Sequence, residues 1–419
     1  MTVRLGVIAD DFTGATDIAG FLVAGGLRTT QLTGLPGPDT QIPDGTDAVV
    51  ISLKSRSIPA DEAVSMSLTA LEFLQKVGAE RFYFKYCSTF DSTPEGNIGP
   101  VTDALLDRLD QDFTVACPAL PVNGRTTYKG YLFVHDVPLH ESGMRNHPIT
   151  PMTDSSLVRL MDGQSQGRTG TVEMSVVEQG AEAVRSALAS LREQGFRYAV
   201  LDALTDEHVR VLGAATSDLR LTTGGSGLGG GLAEALSGGA GASASGWADE
   251  GGRTVVLSGS ASEMTNSQVA AYQEKAPSWA VDVDRLLQDP DAYADEVRSW
   301  VLEQPETPAP MVYATAGPDE VSRIQAEHGA ERASAAVEDL FARLSASLAE
   351  AGVRRFIVAG GETSGSVTTA LGVTGFEVGP QIAPGVPWVR SLNTDIDLAL
   401  KSGNFGAEDF FTAAQQPAI

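Results

Sequence analysis

The chain has 419 residues, of which 42% are hydrophobic, and its mean hydropathy of −0.03 is typical of an ordinary soluble globular protein. Lys and Arg number 29 against 54 Asp and Glu, and the resulting net charge of −25 repels nucleic acid and anionic membrane surfaces. The length exceeds what one hydrophobic core usually supports, which predicts two domains, and no apolar run approaches the roughly 20 residues of a membrane span.

Cysteine usage indicates the compartment. Cys87 and Cys117 each follow a strand-like run, and neither belongs to a C-x-x-C motif. We interpret both as buried thiols in a reducing compartment. The first predicted strand begins within a few residues of Met1, which leaves no room for a signal peptide. These features predict a cytoplasmic protein.

The first predicted strand, Arg4 to Ala9, is followed at once by two carboxylates, Asp10 and Asp11, and then by a helix. In open parallel sheets ligands bind beyond the carboxyl ends of the strands, so these aspartates occupy a position where chemistry is usually done. One of them, or Thr13, is expected to cap the helix. The other remains a candidate base or hydroxyl ligand.

Strands over 48–53 and 81–86, separated by a helix over 61–77, predict a right-handed parallel sheet. In a chain this acidic, Arg56 and Lys85 at the ends of these strands are good candidates to bind a carboxylate. A polar segment over 87–93 and the stretch over 96–100 follow the second strand. Taken alone, the latter is a loop with capping residues before a helix over 101–109.

After a strand over 113–117, the segment over 131–139 alternates well enough to predict a hairpin apart from the parallel sheet. This region carries His135, His140 and His147. Zinc ligands would have close, regular spacing with cysteine or acidic partners, and this pattern is missing. We therefore interpret the region as a polar insertion that shapes a substrate pocket.

Two further strands are predicted over 171–176 and 198–202. The glycine-rich run over 224–231 contains a formal dinucleotide-type pattern at Gly225, Gly227 and Gly230. We discount it as a fingerprint, because the strand signal before it is poor and the glycines overrun the pattern. Such a run can still bring backbone close to a ligand.

A Ser, Gly and Ala segment too small and flexible to pack marks the domain boundary. We predict an N-terminal domain over 1–236, a linker over 237–252 and a C-terminal domain over 253–419. Strands of the second domain are expected over 254–257, 280–283, 311–314 and 355–359, with the longest helix over 330–351. The predicted fold is therefore two α/β domains with mainly parallel sheets, with the active site in the cleft between them.

Three glycine loops in the C-terminal half each follow an apolar run, at 258–260, 360–365 and 402–406. A strand, a tight glycine loop and a helix N-terminus collect unpaired N–H groups and about half an elementary charge, which favours a phosphate. Each loop alone could be an ordinary turn with small residues for packing. Three together indicate a nucleotide, although the Walker A pattern and the protein-kinase signatures are missing.

Three segments, over 10–17, 85–100 and 360–365, together resemble the four-carbon acid sugar kinase family. The segment over 123–154 is similar to the 3-oxo-tetronate kinase branch of that family, and the resemblance covers nearly the whole chain in order. It implies a sugar-acid-binding N-terminal domain and a nucleotide-binding C-terminal domain. The implied reaction is phosphorylation of the C4 hydroxyl of a 3-oxo-tetronate, with ATP and Mg²⁺.

Carried over by motif, the resemblance implies a set of ATP-binding residues: Ser258, Gly360, Gly361, Glu362, Thr363 and Gly403. The substrate-binding candidates are Arg56, Lys85, Ser88 and Asp91. Asp10 or Asp11 would orient the hydroxyl and accept its proton, as phosphoryl transfer depends mostly on positioning. The resemblance does not identify the Mg²⁺ ligands. A homodimer is possible, and the sequence does not decide the oligomeric state.

Three alternatives remain at this point. A threonate or erythronate kinase would share the fold and the ATP site but act on acids without the ketone. A nucleotide-independent isomerase or dehydratase of acid sugars would need no ATP. A two-domain metabolite-binding protein would bind ligands without chemistry.

Overall fold

The computed structural model describes residues 3–37, 40–147, 150–239 and 251–416, which fall into two units, Met1–Ser245 and Gly246–Ile419. The last helix of the first unit ends at Ser237, and the first strand of the second begins at Arg253. Residues 240–250 of the predicted linker lie outside the described residues. No helix in the described ranges is both long and apolar enough to cross a membrane.

The first unit alternates strands and helices along the chain. Its elements are β1 (Leu5–Ala9), α1 (Phe12–Ala24), β2 (Thr29–Thr33), β3 (Ala48–Ser52), α2 (Ala60–Lys76), β4 (Arg81–Lys85), α3 (Ile98–Arg108), β5 (Thr114–Cys117), β6 (Arg125–Tyr128), β7 (Tyr131–Val134), β8 (Val137–Pro138), α4 (Leu157–Asp162), β9 (Thr169–Val172), α5 (Met174–Val177), α6 (Ala181–Glu193), β10 (Tyr198–Leu201), α7 (Asp206–Thr216), β11 (Leu221–Gly224) and α8 (Ser226–Ser237). Three short 3₁₀ turns cover Pro121–Asn123, Leu139–Glu141 and Gly143–Asn146.

Eight of these strands form a parallel sheet in the order β2-β3-β1-β4-β11-β5-β10-β9. Strands β1 and β3 are buried along their whole length, as expected for a sheet that is covered on both faces. Because β1 pairs with β3 and β4, the loops that follow these three strands lie side by side. The predicted parallel sheet is confirmed.

The predicted hairpin is confirmed, and it is larger than expected. Strands β6, β7 and β8 form a separate antiparallel sheet of three strands. An isolated bridge from Thr127 to Ala203 joins β6 to the loop after β10. The small sheet therefore attaches to the loops at the carboxyl edge of the parallel sheet.

The glycine run over 224–231 forms the end of β11 and the first turns of α8, so the interpretation of a poor strand before it is wrong. Its glycines serve packing. A Cβ on Gly231 would lie 2.4 Å from the Val209 carbonyl oxygen, and one on Gly213 would lie 2.1 Å from the Gly231 carbonyl carbon. Helices α7 and α8 thus pack backbone against backbone.

The second unit is also α/β. Its elements are β12 (Arg253–Ser258), α9 (Glu263–Gln273), β13 (Ser278–Ala280), α10 (Val283–Gln288), α11 (Pro290–Glu303), β14 (Met311–Tyr313), α12 (Pro318–His328), α13 (Ala330–Glu350), β15 (Val353–Ala359), α14 (Gly361–Ala370), β16 (Gly375–Ala383), β17 (Val386–Ser391), β18 (Asp397–Lys401) and α15 (Phe410–Ala413). Strands β13, β14, β12, β15 and β18 are parallel in that order, and β17 and β16 follow as antiparallel strands.

Two strand predictions were wrong at their ends. The strand predicted over 171–176 stops at Val172, because the Asp202 carboxylate accepts a hydrogen bond from the Met174 N–H and starts α5 there. The strand predicted over 280–283 stops at Ala280, because Asp282 caps α10. In both places an aspartate oxygen replaces the next ladder partner.

Strands β16 and β17 escaped prediction. Pro380 and Pro387 lie inside them and lack the N–H that a ladder uses, so the sequence does not read as strand there. The strand β2 was missed as well, because Thr29–Thr33 is short and mostly polar. These strands form because each pairs with a neighbouring strand: β16 with β17, β17 with β18, and β2 with β3.

We expect Gly213→Ala to destabilise the first unit. The added methyl would meet the Gly231 backbone, and this overpacking, about 1–3 kcal/mol, outweighs the roughly 1 kcal/mol that alanine gains in a helix. Denaturant unfolding of the intact chain measures the change. Gly143→Ala, where no atom lies within 4 Å of the added carbon, is the control. A Gly213→Ala protein as stable as the parent would refute backbone-to-backbone packing of α7 and α8.

Candidate functional site

At the carboxyl edge of the first unit, Arg56 joins the two predicted aspartates. Its Nε and Nη2 atoms donate to Asp10 Oδ2 and Oδ1, both at 2.8 Å. Nη2 also lies 2.9 Å from Asp11 Oδ1. The loop after β3 is anchored at the same point, since the Arg56 N–H donates to the Asp10 carbonyl at 3.2 Å. The structure thus brings together three residues that are up to 46 positions apart.

The two aspartates have different surroundings. The Asp10 side chain is 7% exposed and engages Arg56 with both oxygens. Asp11 is 31% exposed and caps α1, accepting the Gly14 N–H at 2.8 Å through Oδ1. Burial raises the pKa of Asp11, against the opposing effect of the Arg56 charge. Of the residues predicted as possible caps of α1, the structure therefore identifies Asp11 as the one that caps it.

Lys85, the last residue of β4, is buried beside this cluster. Its Nζ donates to the Tyr86 carbonyl at 2.9 Å. A Cβ on Gly14 would lie 2.4 Å from Asp11 Oδ1 and 2.9 Å from Lys85 Nζ. Because Gly14 has no side chain, the Asp11 carboxylate and the Lys85 ammonium group can both approach its Cα.

The other predicted substrate residues lie on the turn after β4. Asp91 Oδ1 accepts the Thr89 hydroxyl at 2.6 Å, and Thr89 Oγ1 lies 2.8 Å from the Cys87 sulfur. Ser88 is half-buried on the same turn. Cys87 itself is half-buried and Cys117 buried, and burial raises the pKa of both thiols, to about 11 and about 12. Both are therefore neutral thiols at physiological pH.

Two further residues of the site, Asn97 and Asp17, lie within the segments that carry the family resemblance, but no role was predicted for them. The Asn97 side chain donates to the carbonyls of Ser55 at 2.5 Å and Arg56 at 3.2 Å, so it holds the loop that carries Arg56. Asp17 on α1 accepts the Ser226 hydroxyl at the start of α8, and burial raises the pKa of Asp17. The sequence feature that could have identified both residues is their position within the segments 85–100 and 10–17, which carry the family resemblance.

The three histidines are held by local contacts. His140 Nδ1 lies 2.7 Å from the Ser155 hydroxyl, and His147 Nδ1 accepts the Thr150 N–H at 3.1 Å. His135 has a positive φ of 56° and donates its backbone N–H to Gly124 at 2.6 Å. These contacts shape the loops of the small sheet.

In the second unit the three glycine loops meet. A Cβ on Gly259 would lie 2.2 Å from Thr363 Oγ1, and one on Gly360 would lie 2.9 Å from the same atom. A Cβ on Gly403 would lie 2.5 Å from Ser260 Oγ. The glycines are required because the loops touch at these points. The structure thus brings the three predicted loops together.

The N-terminus of α14 opens at this junction. The first helical bond runs from the Ser364 N–H to the Gly360 carbonyl at 2.9 Å. The preceding N–H groups, of Gly361, Glu362 and Thr363, donate to no acceptor in the described part of the chain. Three free donors at the positive end of a ten-residue helix form a site for an anion.

A cavity of about 460 Å³ lies against these donors. Its lining is Gly259, Ser260, Ala261, Val283, Ala314, Ala316, Ile324, Gln325, Ala330, Ala333, Ser334, Val337, Glu338 and Gly360 to Thr363. The volume falls within the range of small-molecule sites, roughly 300–1,000 Å³. Four of the six predicted ATP-binding residues line it.

The other two predicted residues support the loops from behind. Ser258 is fully buried, with Oγ 2.7 Å from Thr315 Oγ1. Gly403 is held by Lys401, whose buried Nζ donates to the Gly403 carbonyl and to Thr265 Oγ1, both at 3.0 Å. Burial lowers the pKa of Lys401 to about 8. Sequence reasoning placed Lys401 in an apolar run and missed its role.

Two carboxylates face each other in the cavity. Glu338 on α13 and Glu362 in the first turn of α14 are neighbours in the lining, and the pKa of Glu338 is raised, by burial first and then by Glu362. Elsewhere in the described residues, ligand atoms of Asp284, Glu327 and His328 lie within 4.8 Å of one another. Arg323 donates to Glu327 at 2.6 Å and contacts Asp284 at 3.4 Å, so this second group is already an ion-pair network.

Comparison with known proteins assigns both halves. Residues 5–232 match the family model of a sugar-binding N-terminal domain, and residues 255–411 match that of a nucleotide-binding C-terminal domain. A 3-oxo-tetronate kinase of Brucella melitensis is 59% identical over 99% of this chain and 96% of its own length. One of Salmonella typhimurium is 57% identical over 99% of both chains. A crystal structure from Salmonella typhimurium, described as that of a tRNA synthase, has 56% identity, covers 99% of both chains and gives a TM-score of 0.95.

Gly360→Ala is expected to weaken anion binding in the second unit. Gly360 has a φ of +124°, which alanine adopts only with strain of about 1–3 kcal/mol, and the added carbon meets Thr363 Oγ1 at 2.9 Å. Realignment of the three donors should lower the affinity for inorganic triphosphate about tenfold, as measured by calorimetry. Gly365→Ala on the same helix has open space and serves as control. Equal affinities of the two variants and the parent would contradict the anion site.

Proposed function

Because the chain belongs to the four-carbon acid sugar kinase family, we propose that it is an ATP-dependent 3-oxo-tetronate kinase. It transfers the γ-phosphoryl group of ATP to the C4 hydroxyl and yields a 3-oxo-tetronate 4-phosphate. The observation that carries the proposal is the meeting of three glycine loops at free helix donors, in the unit that matches the nucleotide-binding model. The net charge of −25 opposes a nucleic-acid substrate, so we do not extend the tRNA description to this chain.

In the second unit, the N–H groups of Gly361, Glu362 and Thr363 bind ATP phosphates, and Gly360 allows the turn before them. Ser258 and Gly403 hold the neighbouring loops in position. Little covalent chemistry is required of the protein, since phosphoryl transfer depends on positioning and charge stabilisation.

The residues present fit a Mg²⁺ ion. Mg²⁺ binds carboxylate oxygens together with substrate phosphates, and Glu338 and Glu362 place carboxylates beside the phosphate donors. These two side chains would hold the ion, which neutralises phosphate charge when bound. Burial first, and then the neighbouring Glu362, raise the pKa of Glu338, and the repulsion between the two ionised carboxylates favours a cation between them.

In the first unit, Lys85 and Arg56 bind the substrate carboxylate, and Ser88 and Asp91 bind its hydroxyls. Asp11 is the base. Both oxygens of Asp10 are engaged by Arg56, whereas the contacts of Asp11 in the described structure use Oδ1 and leave Oδ2 for the hydroxyl. Asp10 therefore positions Arg56. Asp11 caps α1 through Oδ1 and accepts the proton through Oδ2, so one aspartate takes both roles that the sequence analysis divided between two residues.

Other features of the protein remain predictions. The free thiols of Cys87 and Cys117 support a reducing, cytoplasmic location. The domain limits at 236 and 253, the interdomain cleft and a homodimer stay as predicted from the sequence.

The proposal is tested by ADP release from the purified protein with ATP and Mg²⁺. We expect turnover with 3-oxo-tetronates and little with threonate or erythronate. Turnover with the plain acids alone would reassign the substrate and keep the ATP site. Silence on all acids with no thermal shift by ATP would indicate a nucleotide-independent enzyme, and a shift without turnover would indicate a binding protein.

Asp11→Asn should lower kcat/KM by about 10²–10⁴-fold, the usual range for loss of a general base. Because burial raises the pKa of Asp11, the parent enzyme should lose activity on acidification at a pH above the ordinary aspartate value, as the base becomes protonated. The variant should lack this acidic limb. Rates measured across pH with saturating ATP report both effects.

Asp103→Asn is the matched control for this experiment. Asp103 is also a buried aspartate of the first unit, but it binds Arg197 and Tyr198 at the start of β10, at the opposite edge of the sheet. Its replacement should affect stability and leave the pH profile intact. An unchanged acidic limb in Asp11→Asn would show that another group is the base.

A further inference from the structure

The start of α8 in the first unit lies beside the acid-sugar residues, and the proposed function gives it no ligand. Resting on that function, we propose that Asp17, Arg125 and the first turn of α8 bind the C2 hydroxyl and the C3 carbonyl of the acid sugar. These groups thereby favour a 3-oxo acid over an acid with a hydroxyl at C3. The C3 carbonyl is the polar group of the substrate that the proposed function leaves without a contact.

The first turn of α8 has three free donors. The N–H groups of Ser226, Gly227 and Leu228 donate to no acceptor among the residues that the structure describes. Strand β11, which leads into this helix, pairs with β4 so that Gly224 lies opposite Lys85. The free donors are therefore at the carboxyl edge of the sheet, next to a residue proposed to bind the substrate.

Asp17 brings an acceptor to these donors without accepting from them. Asp17 is 8% exposed, and its Oδ2 accepts the Ser226 hydroxyl, which fixes the carboxylate at the start of α8. Its Oδ1 is buried and has no hydrogen-bond partner in the described part of the chain. An aspartate that served only as a helix cap would accept an N–H of the first turn. A buried oxygen without a partner is costly, and a donor on a ligand would remove that cost.

Arg125 carries an unpartnered atom of the opposite kind. It begins β6 of the small sheet, and its backbone pairs with Leu120 through hydrogen bonds of 2.8 and 3.1 Å. The loop before Leu120 lies against α8, since a Cβ on Gly227 would be 2.6 Å from the Ala119 carbonyl oxygen. Arg125 Nη1 donates to the Asn123 carbonyl, whereas Nε is buried and has no partner among the described residues. The small sheet thus brings a buried donor to the loop that covers the start of α8.

The charges of Lys85 and Arg125 both act on Asp17. Burial raises the pKa of Asp17, and the Lys85 charge, the Ser226 hydrogen bond and the Arg125 charge oppose that shift. In the described structure the hydrogen bond of the Asp17 carboxylate is to Ser226 and to neither cation. An acceptor and cationic donors therefore lie close to one another without being joined.

The missing partners define the chemistry of the ligand. Asp17 Oδ1 requires a donor, whereas Arg125 Nε and the N–H groups of α8 require an acceptor. A 3-oxo-tetronate offers the two on adjacent carbons, with the C2 hydroxyl for Asp17 and the C3 carbonyl for the donors. A hydroxyl at C3, as in threonate or erythronate, would bring a proton among groups that are themselves donors, and this proton would lose its hydrogen bond to water. The preference for the ketone follows from this difference.

The test combines the loss of one residue with the loss of one oxygen of the ligand. 2,4-Dihydroxybutanoate lacks the C3 oxygen of a 3-oxo-tetronate. Arg125→Lys keeps the positive charge and replaces Nε by a methylene group. It should lower the affinity for the 3-oxo-tetronate about 10- to 100-fold, the range for a hydrogen bond to a charged group, and leave that for 2,4-dihydroxybutanoate within about twofold of the parent. Calorimetry with ADP present, so that no phosphoryl transfer occurs, gives both affinities.

Asp17→Asn is tested with 4-hydroxy-3-oxobutanoate, which lacks the C2 hydroxyl. The ratio of the affinity for the 3-oxo-tetronate to that for this acid should fall about tenfold in the variant. Arg197→Lys is the matched control. Arg197 is also half-buried in the first unit, but it pairs with Asp103 and Asp107, and its replacement should leave the affinities for all three acids as in the parent.

The outcomes separate this inference from the proposed function. Parental affinities in Arg125→Lys would overturn the assignment, and equal losses for the 3-oxo-tetronate and 2,4-dihydroxybutanoate would overturn it as well, since they indicate a general disturbance. An unchanged affinity ratio in Asp17→Asn would also contradict it, and this variant decides if thermal unfolding shows that Arg125→Lys does not fold. A parent protein that binds none of the three acids would refute the acid-sugar kinase function itself.

Discussion

The contact of the Thr363 side chain with two glycine backbones is the constraint on which the nucleotide unit depends. Gly259 and Gly360 belong to loops after different strands, and neither could carry a Cβ without meeting Thr363 Oγ1. This approach brings the loop after β12 against the start of α14 and leaves the first three N–H groups of that helix free. The proposed phosphate site therefore consists of backbone N–H groups, without the lysine of a Walker A motif.

Support for that junction comes from buried polar groups behind it. Lys401 donates a hydrogen bond to the Gly403 carbonyl and so holds the loop over 402–406. Ser258 shares a hydrogen bond with Thr315, which follows the neighbouring strand β14. A buried ammonium group with a pKa near 8 is costly, so its two hydrogen bonds must compensate for the loss of water. Ser258 and Lys401 thus hold the neighbouring loops in position without lining the cavity.

The acid-sugar unit uses charge where the nucleotide unit uses backbone. One guanidinium, Arg56, engages two carboxylates that differ in exposure, and Asn97 holds its loop. In a chain with a net charge of −25, each local cation near the site has a large effect on a carboxylate substrate. In the proposed mechanism this pairing gives the two aspartates different roles, because Arg56 engages both oxygens of Asp10 and leaves Asp11 Oδ2 available.

Local sequence patterns were enough to predict the class of fold, which is confirmed, and to name the candidate ligand-binding residues. Apolar runs that end at Asp10, Lys85 and Gly360 are local patterns, and the parallel strands of each unit bring such ends to the carboxyl edge of that unit's own sheet. The motifs also carried the family, because the 10–17 and 360–365 segments are contiguous. Only the tertiary structure decided what depends on partners distant in the chain. The contacts of Arg56 distinguish Asp11 from Asp10. The glycines of 224–231 allow close packing between α7 and α8. Strands β16 and β17 pair although each contains a proline. Local sequence indicates where strands, loops and helices begin and end. Hydrogen-bond partners and close backbone approaches between distant segments form only when those segments have packed together.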